Sequence, residues 1–294
     1  MKIRTLMEGR RPFLSLEFFP PKAREQWPGF FAKAERLARL SPLFASVTYG
    51  AGGGTQDNTR DVATRMRRQL GLPTMAHLTC VGASRDRVAR FVDGLLADGV
   101  DNVLALRGDA PAAALPDASS DFAHASDLVE FLARGWPELG LAVACYPEAH
   151  PESPTVEQDL AWTRRKLDAG ADFGVTQLFF DVRRYQDFAA RLGRLGAAKP
   201  LIPGVLPLLS MQSLHRILSL CGASIPVALY LELQEAQQQG GPAAVRARGV
   251  DIARRQMREL LALGAPGIHL YTLNNADACL EILAGVPELA GTAS

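Results

Sequence analysis

Apolar positions along the chain fall into two alternating regimes. Short runs rich in aliphatic, β-branched and aromatic residues recur at 13–19 (FLSLEFF), 44–50 (FASVTYG), 74–80 (TMAHLTC), 102–108 (NVLALRG), 141–147 (LAVACYP), 173–180 (FGVTQLFF), 201–208 (LIPGVLPL) and 267–274 (GIHLYTLN). Runs of this length predict buried strands. Between them, segments such as RDRVARFVDGLLADGV and DLAWTRRKLDAGADF repeat apolar residues at three and four and end near Gly, which predicts amphipathic helices. Eight such units, roughly thirty residues apart, predict an α/β fold, a (β/α)8 TIM barrel over residues 1–294. The interval between the seventh and eighth runs is longer and has room for extra helices around 211–240. A doubly wound open sheet is the competing arrangement. Even spacing and the lack of a second composition regime favour the barrel.

A barrel places its active site at the C-terminal ends of its strands. The residues expected there are Glu17, Thr48, Tyr49, His77, Thr79, Arg107, Asp109, Tyr146, Glu148, His150, Gln177, Asp181, Tyr271 and Asn274. One such residue is usually a satisfied core polar group or a helix cap; polar groups at the ends of seven apolar strands point to a functional face. Glu17 poses the sharpest question. It lies in LSLEFFPP, an apolar run stopped by two prolines. A carboxylate there is costly to ionise, and unless paired it stays neutral or titrates at raised pH.

Composition narrows the chemistry. The chain has 294 residues, 48% hydrophobic, with a net charge of +1, so neither a nucleic-acid nor a membrane partner is indicated. Apolar stretches such as LGLAVAC are too short to span a bilayer, and the N-terminus does not read as a signal peptide. Cys80, Cys145, Cys221 and Cys279 lie far apart, as reduced cytoplasmic thiols do. APAAALPDASS (110–120) and QEAQQQGGPAA (234–244) are the loop-like stretches. A Schiff-base barrel needs a strand lysine, and Lys2, Lys22, Lys33, Lys166 and Lys199 all fall outside the runs. His77, His150, Asp109 and Glu148 lack HxH or HExxH spacing, and Arg107 beside Asp109 opposes a cation, so no metal site is expected. An organic cofactor across the barrel mouth suits Arg107, Tyr49, Tyr146, His77, His150, Arg165 and Lys166 better. The loop YGAGGGTQDNT (49–59) is not a dinucleotide fingerprint, because Thr55 takes the place of the last glycine.

Taken in order, LEFFPP, SVTYGAGGGT, AHLTC, LALRGD, YPEAHPE, DAGADFGVTQLFFD, IPGVLP and HLYTLN resemble methylenetetrahydrofolate reductase of the bacterial type, from about residue 12 to 280. The resemblance implies non-covalent FAD, reduced by NADH or NADPH, which in turn reduces 5,10-methylenetetrahydrofolate to 5-methyltetrahydrofolate for methionine supply. It implies a cytoplasmic homo-oligomer. With nothing after the barrel, no regulatory domain and no inhibition by S-adenosylmethionine are expected. The rival readings are another flavin barrel, such as one oxidising proline, and a catalytically dead ligand-binding barrel.

The resemblance also implies roles. Glu17 matches the general acid that protonates folate N10. An ordinary Glu, with a pKa of about 4.3, is almost wholly ionised near neutral pH, and raising it by about two units represents roughly 2.7 kcal/mol. Asp109 matches a catalytic residue meeting both pterin and flavin. Thr48, Gln177 and Tyr271 match substrate contacts. Tyr49, Ala51, His77, Arg107, Gly108, Asp109, Tyr146, His150, Asp159, Arg165 and Lys166 match FAD contacts, and His124 with Ala125 stands where some relatives place a Tyr beside the adenosine. The chain departs from some relatives at Asn275, where they carry Arg, and near Leu231 and Leu233, where they carry Gln and Phe over the folate.

Overall fold

The computed structural model describes residues 1–10, 12–49, 56–108 and 120–289, the side chains of 56 and 219–221 excepted. Its strands are β1 (Phe13–Phe18), β2 (Phe44–Val47), β3 (Thr74–Thr79), β4 (Asn102–Leu106), β5 (Gly140–Cys145), β6 (Phe173–Thr176), β7 (Leu201–Ile202), β8 (Gly204–Val205) and β9 (Gly267–Tyr271). Helices α1 (Ile3–Glu8), α2 (Trp27–Ala38), α3 (Gln56–Gln69), α4 (Arg85–Ala97), α5 (Ala125–Gly135), α6 (Val156–Asp168), α7 (Val182–Arg194), α8 (Met211–Cys221), α9 (Val227–Ala262) and α10 (Ala276–Ala284) surround them.

All described strand pairs are parallel, in the order β7-β6-β5-β4-β3-β2-β1-β9-β8. β7 and β8 are two pieces of one run interrupted at Pro203. The first pairs with β6 and the second with β9, so the seventh of the eight predicted strands closes the barrel. Proline has no N–H to give to a ladder. Its carbonyl still accepts from His269 N–H at 2.9 Å, and Gly204 N–H turns instead to Thr176 Oγ1 at 2.9 Å. The expected extra helices are α8 and the first limb of α9. Helix α9 is broken in the middle: Gly241 has φ 64°, ψ −155° and Pro242 follows, so the second limb starts afresh as the helix packed on the seventh strand.

Strand periodicity sorts the core. Leu14, Leu16, Phe18, Ala45, Val47, Ala76 and Leu78 join the helices in the outer layer. Phe13, Phe44, Met75, Leu104 and Phe173 fill the barrel's lower interior. The short helix α1, which the sequence pattern does not predict, closes that end with Ile3 and Met7. Asn102 at the start of β4 holds it there, accepting from Ile3 N–H at 2.8 Å and donating to Met1 O at 3.1 Å. Among the described residues no helix is long and apolar enough to cross a membrane.

Close packing of α9 on the barrel depends on Gly249, where a Cβ would lie 1.7 Å from the Leu208 carbonyl oxygen. Gly249→Ala is therefore expected to destabilise by at least the about 1–3 kcal/mol typical of overpacking, outweighing the roughly 1 kcal/mol of helix propensity that alanine adds. Gly9, with nothing within 4 Å of its added Cβ, is the control. Urea unfolding followed by circular dichroism checks this; an unchanged midpoint for Gly249→Ala would show that the helix moves freely off the strand.

Candidate functional site at the C-terminal rim

The barrel interior changes polarity along its axis. Above the apolar layer come Ser15, Ser46, His77 and His269, and above them Glu17 and Thr48, all of them buried. Successive inward positions on a strand are two residues apart, so Phe13, Ser15 and Glu17 climb one face of β1 as Gly267, His269 and Tyr271 climb β9. The register pairs Ser15 with His269 and Glu17 with Tyr271.

Glu17 is 6% exposed. Its Oε2 lies 3.3 Å from His269 Nε2 and 3.5 Å from His77 Nε2. His77 is pushed down to about 4, first by burial and then by the neighbouring imidazole of His269, with Glu17 opposing. It is therefore neutral at physiological pH, and its Nε2 has no hydrogen-bond partner. The backbone around Glu17 is pinned from β9. Thr272 Oγ1 donates to Glu17 O at 2.5 Å. Asn274 accepts from Phe19 N–H at 3.1 Å and donates to Phe19 O at 2.7 Å, copying with a side-chain amide the two bonds of a strand partner. Leu273 and Asn274 take left-handed backbone to do this, with φ 47° and 57°.

The other rim residues take distinct places. Tyr271 donates to Thr176 O at 2.7 Å, and its ring lies against Gly204, whose added Cβ would come 2.6 Å from it. Thr48 Oγ1 is buried with no partner. Gln177 is partly buried and its Oε1 accepts from Leu178 N–H at 3.0 Å, while Tyr49 stands partly buried after β2. Arg107 Nη1 sits 2.6 Å from Glu152 Oε2, which holds that exposed carboxyl below its usual range. Gly108 has φ 86°, and a Cβ there would meet Thr79 and Val81 at 2.9 Å. Tyr146 and His150 pack edge to face at 4.7 Å. On α6, Lys166 donates to Ala144 O at 2.5 Å and burial lowers its pKa, whereas Asp159 accepts from Ser153 Oγ at 2.8 Å and keeps Oδ2 unpartnered. His124, just before Ala125 opens α5, stacks on Trp162 at 4.4 Å, and Arg165 lies over the same ring at 5.2 Å. Ala51 and Asp109 lie outside the described residues.

The structure thus brings Glu17, Thr48, His77 and Tyr271 together and sets Tyr146, His150, Asp159 and Lys166 on the β5–α6 side. Sequence reading missed His269, Ser15 and Thr272 at Glu17, and Trp162 in the His124–Arg165 stack. A usable signal existed for His269: it is a histidine in an apolar strand, two residues before a rim tyrosine and hence on the same inward face.

Parallel strands closed into a barrel, with buried ionisable side chains at their carboxyl ends, define a (β/α)8-barrel protein with its site at the C-terminal rim. The family model described as methylenetetrahydrofolate reductase matches residues 2–287, and the chain belongs to that family. It is 34% identical to 5,10-methylenetetrahydrofolate reductase of Salmonella typhimurium, over 92% of this chain and 88% of that protein. It is also 34% identical to methylenetetrahydrofolate reductase (NADH) 1 of Arabidopsis thaliana, covering 96% of this chain but 49% of the plant protein, so it spans about half the length of that relative. A solved structure from Clostridium thermocellum, described as an uncharacterized protein that binds two copies of 5-methyl-5,6,7,8-tetrahydrofolic acid, superposes with a TM-score of 0.68 at 16% identity over 98% of this chain and 100% of that one, a likeness of fold.

His77 carries a pH signature. Its value in the fold, about 4, lies below the ordinary 6.5, so between those values the unfolded chain binds the extra proton and acid destabilises the fold. His77→Gln, which takes up no proton, is expected to lose less stability from pH 7 to 4.5, by about 2 kcal/mol. Urea unfolding of the ligand-free protein at both pH values reads this; equal losses in the two proteins would place His77 in an ordinary environment.

Proposed function

We propose that the chain reduces 5,10-methylenetetrahydrofolate to 5-methyltetrahydrofolate with NAD(P)H, through FAD bound non-covalently across the barrel mouth. The observation that carries this is Glu17, a carboxyl 6% exposed at the C-terminal rim beside two buried imidazoles, in a chain of this family. The residues present fit the cofactor. Thr48 Oγ1, His77 Nε2 and Asp159 Oδ2 are buried polar atoms without partners, and burying such atoms unpaired is costly. Gly108 admits no side chain because Thr79 and Val81, at the end of the neighbouring β3, stand 2.9 Å from where its Cβ would lie. In this reading Tyr49, Ala51, His77, Arg107, Gly108, Tyr146, His150, Asp159, Arg165 and Lys166 would hold FAD, with His124 and Ala125 towards its adenosine. Bound FAD would carry hydride from nicotinamide to folate in alternating half-reactions.

The chain's own task is the proton. Glu17 gives its proton to N10, the bond from N10 to the methylene carbon breaks, and the N5 iminium accepts hydride at that carbon. One hydride and one proton thereby convert methylene to methyl, and NAD(P)H leaves as NAD(P)+. A carboxylate at Asp109 would accept from the pterin and favour the cationic iminium. Thr48, Gln177 and Tyr271 would position substrate. Arg107, freed from Glu152, would turn to cofactor phosphate. A cytoplasmic homo-oligomer serving methionine synthesis belongs to the same reading.

The purified protein is expected to bind FAD, seen as an oxidised-flavin spectrum and by calorimetry. In Glu17→Gln, NAD(P)H should still reduce the flavin, because hydride transfer from nicotinamide asks no proton of this residue. Reoxidation by methylenetetrahydrofolate should fall by about a hundredfold or more, the usual worth of general acid catalysis. Anaerobic stopped-flow separates the two steps. Wild-type reoxidation would remove Glu17 from the proton's path; a chain that cannot be loaded with FAD would end the reading.

A further inference from the structure

The part of the site that this chemistry leaves unused is His269. It is 0% exposed, in the middle of the barrel interior, and its ring stacks on Phe44 at 5.9 Å and 21°. Both ring nitrogens have partners. Nδ1 is 2.9 Å from Ser15 Oγ; Nε2 is 3.3 Å from Glu17 Oε2 and 3.4 Å from Ser46 Oγ. Ser15 Oγ has one hydrogen and two acceptors in reach, Ile268 O at 3.3 Å and Nδ1 at 2.9 Å. Where Ile268 O takes that hydrogen, Ser15 accepts from His269 and Nδ1 carries the ring hydrogen. A neutral imidazole protonated on Nδ1 has a bare Nε2, which can only accept. The partner Nε2 faces most closely is Glu17 Oε2, and a carboxylate has nothing to donate; a carboxylic acid does.

We propose that His269 is a positioning residue for Glu17: held by Ser15 and Phe44 in its Nδ1–H form, it presents a bare Nε2 that accepts from protonated Glu17 and keeps the acid loaded. This rests on Glu17 being the acid, as proposed above. The groups facing the Glu17 carboxyl support the neutral arrangement. From β3 comes His77, neutral at physiological pH. From β9 come His269 and, edge-on to it at 5.5 Å, Tyr271, whose hydroxyl is engaged by Thr176 O. From β2 come Ser46 and Thr48, which carry no charge. Once Glu17 has given its proton away, Ser46 can turn its hydroxyl to Nε2 at 3.4 Å, so the network serves both states of the acid without moving a ring.

Two measurements test this. The first needs no variant: in the FAD-loaded wild type with 15N-labelled histidine, His269 is expected to show the Nδ1–H tautomer near pH 7, with a pyridine-type Nε2. An Nε2–H tautomer or an imidazolium at that pH overturns the proposal. The second uses His269→Phe, which keeps a ring against Phe44 but has no acceptor. Its rate of flavin reoxidation by methylenetetrahydrofolate should be nearest wild type around pH 6 and fall short by about tenfold or more around pH 8, because an unsupported acid loses its proton at lower pH. A loss of rate equal at both pH values marks a merely structural role and overturns the proposal, as does a wild-type profile. Glu17→Gln run alongside separates the two claims. If it reoxidises normally, Glu17 is not the acid and the functional reading fails; if it is dead while His269→Phe keeps the wild-type profile, only the role of His269 fails.

Discussion

Everything at the rim depends on the seam between β1 and β9, the first and last strands of the chain. Glu17 and Tyr271 are paired across it, as are Ser15 and His269, although some 250 residues separate them in sequence. Parallel ladders fix which side chains share a face, and a slip of one residue would turn Glu17 out into the helical layer. Several bonds guard against that slip. Thr272 and Asn274 extend the ladder beyond its last backbone pair, and Ser15 ties its hydroxyl to Ile268 O. The left-handed backbone at Leu273 and Asn274 is costly for non-glycine residues, and it persists here because the amide of Asn274 is held at both ends.

The same seam explains why polar groups can stand inside the barrel. Ser15, Ser46, His77, Glu17 and His269 are buried, and a buried polar atom without a partner destabilises by about 1–3 kcal/mol. Most of theirs are paired with one another. The exception is His77 Nε2; like the unpartnered Thr48 Oγ1, it lies towards the open end rather than towards the apolar layer of Phe13, Phe44 and Phe173. Within the barrel interior, unpartnered polar atoms thus stand at the rim, as expected where a ligand completes the bonding.

Much of this is legible in the sequence. The eight strand runs, the room for extra helices before the last strand, and Glu17, His77 and Tyr271 at strand ends all follow from period-two patterning and the rule for barrel rims. The break at Pro203 is written in LIPGVLP, yet its consequence is not, because only tertiary pairing shows that the halves of the run serve different neighbours. Helix α1 escapes because six residues give too little periodicity. His269 escapes for a different reason: a histidine among Ile, Leu and Tyr is usually a satisfied core group, and what makes it more is a partner some 250 residues away. Recognition of the family rests on motifs rather than on patterning, and it points to Asp159 and Lys166, which spacing alone would leave on a solvated helix face. The structure buries Asp159 and draws the Lys166 ammonium onto Ala144 O.

The split seventh strand ties closure of the barrel to the shape of its mouth. Gly204 must lack a side chain because the ring of Tyr271 lies against it, and that ring must lie there for its hydroxyl to reach Thr176 O on β6. A side chain at Gly204 would press on both Thr176 O and the Tyr271 ring, the two partners of that hydrogen bond. Beyond the split, the chain leaves the barrel into α8 and the first limb of α9. It is fastened back at the turn between them, where Glu148 after β5 accepts from Ser224 N–H at 3.1 Å and from the Ser224 hydroxyl, with Arg184 at 3.7 Å. One carboxylate on the β5 side therefore ties the insert that follows β8 to the β5–α6 loop.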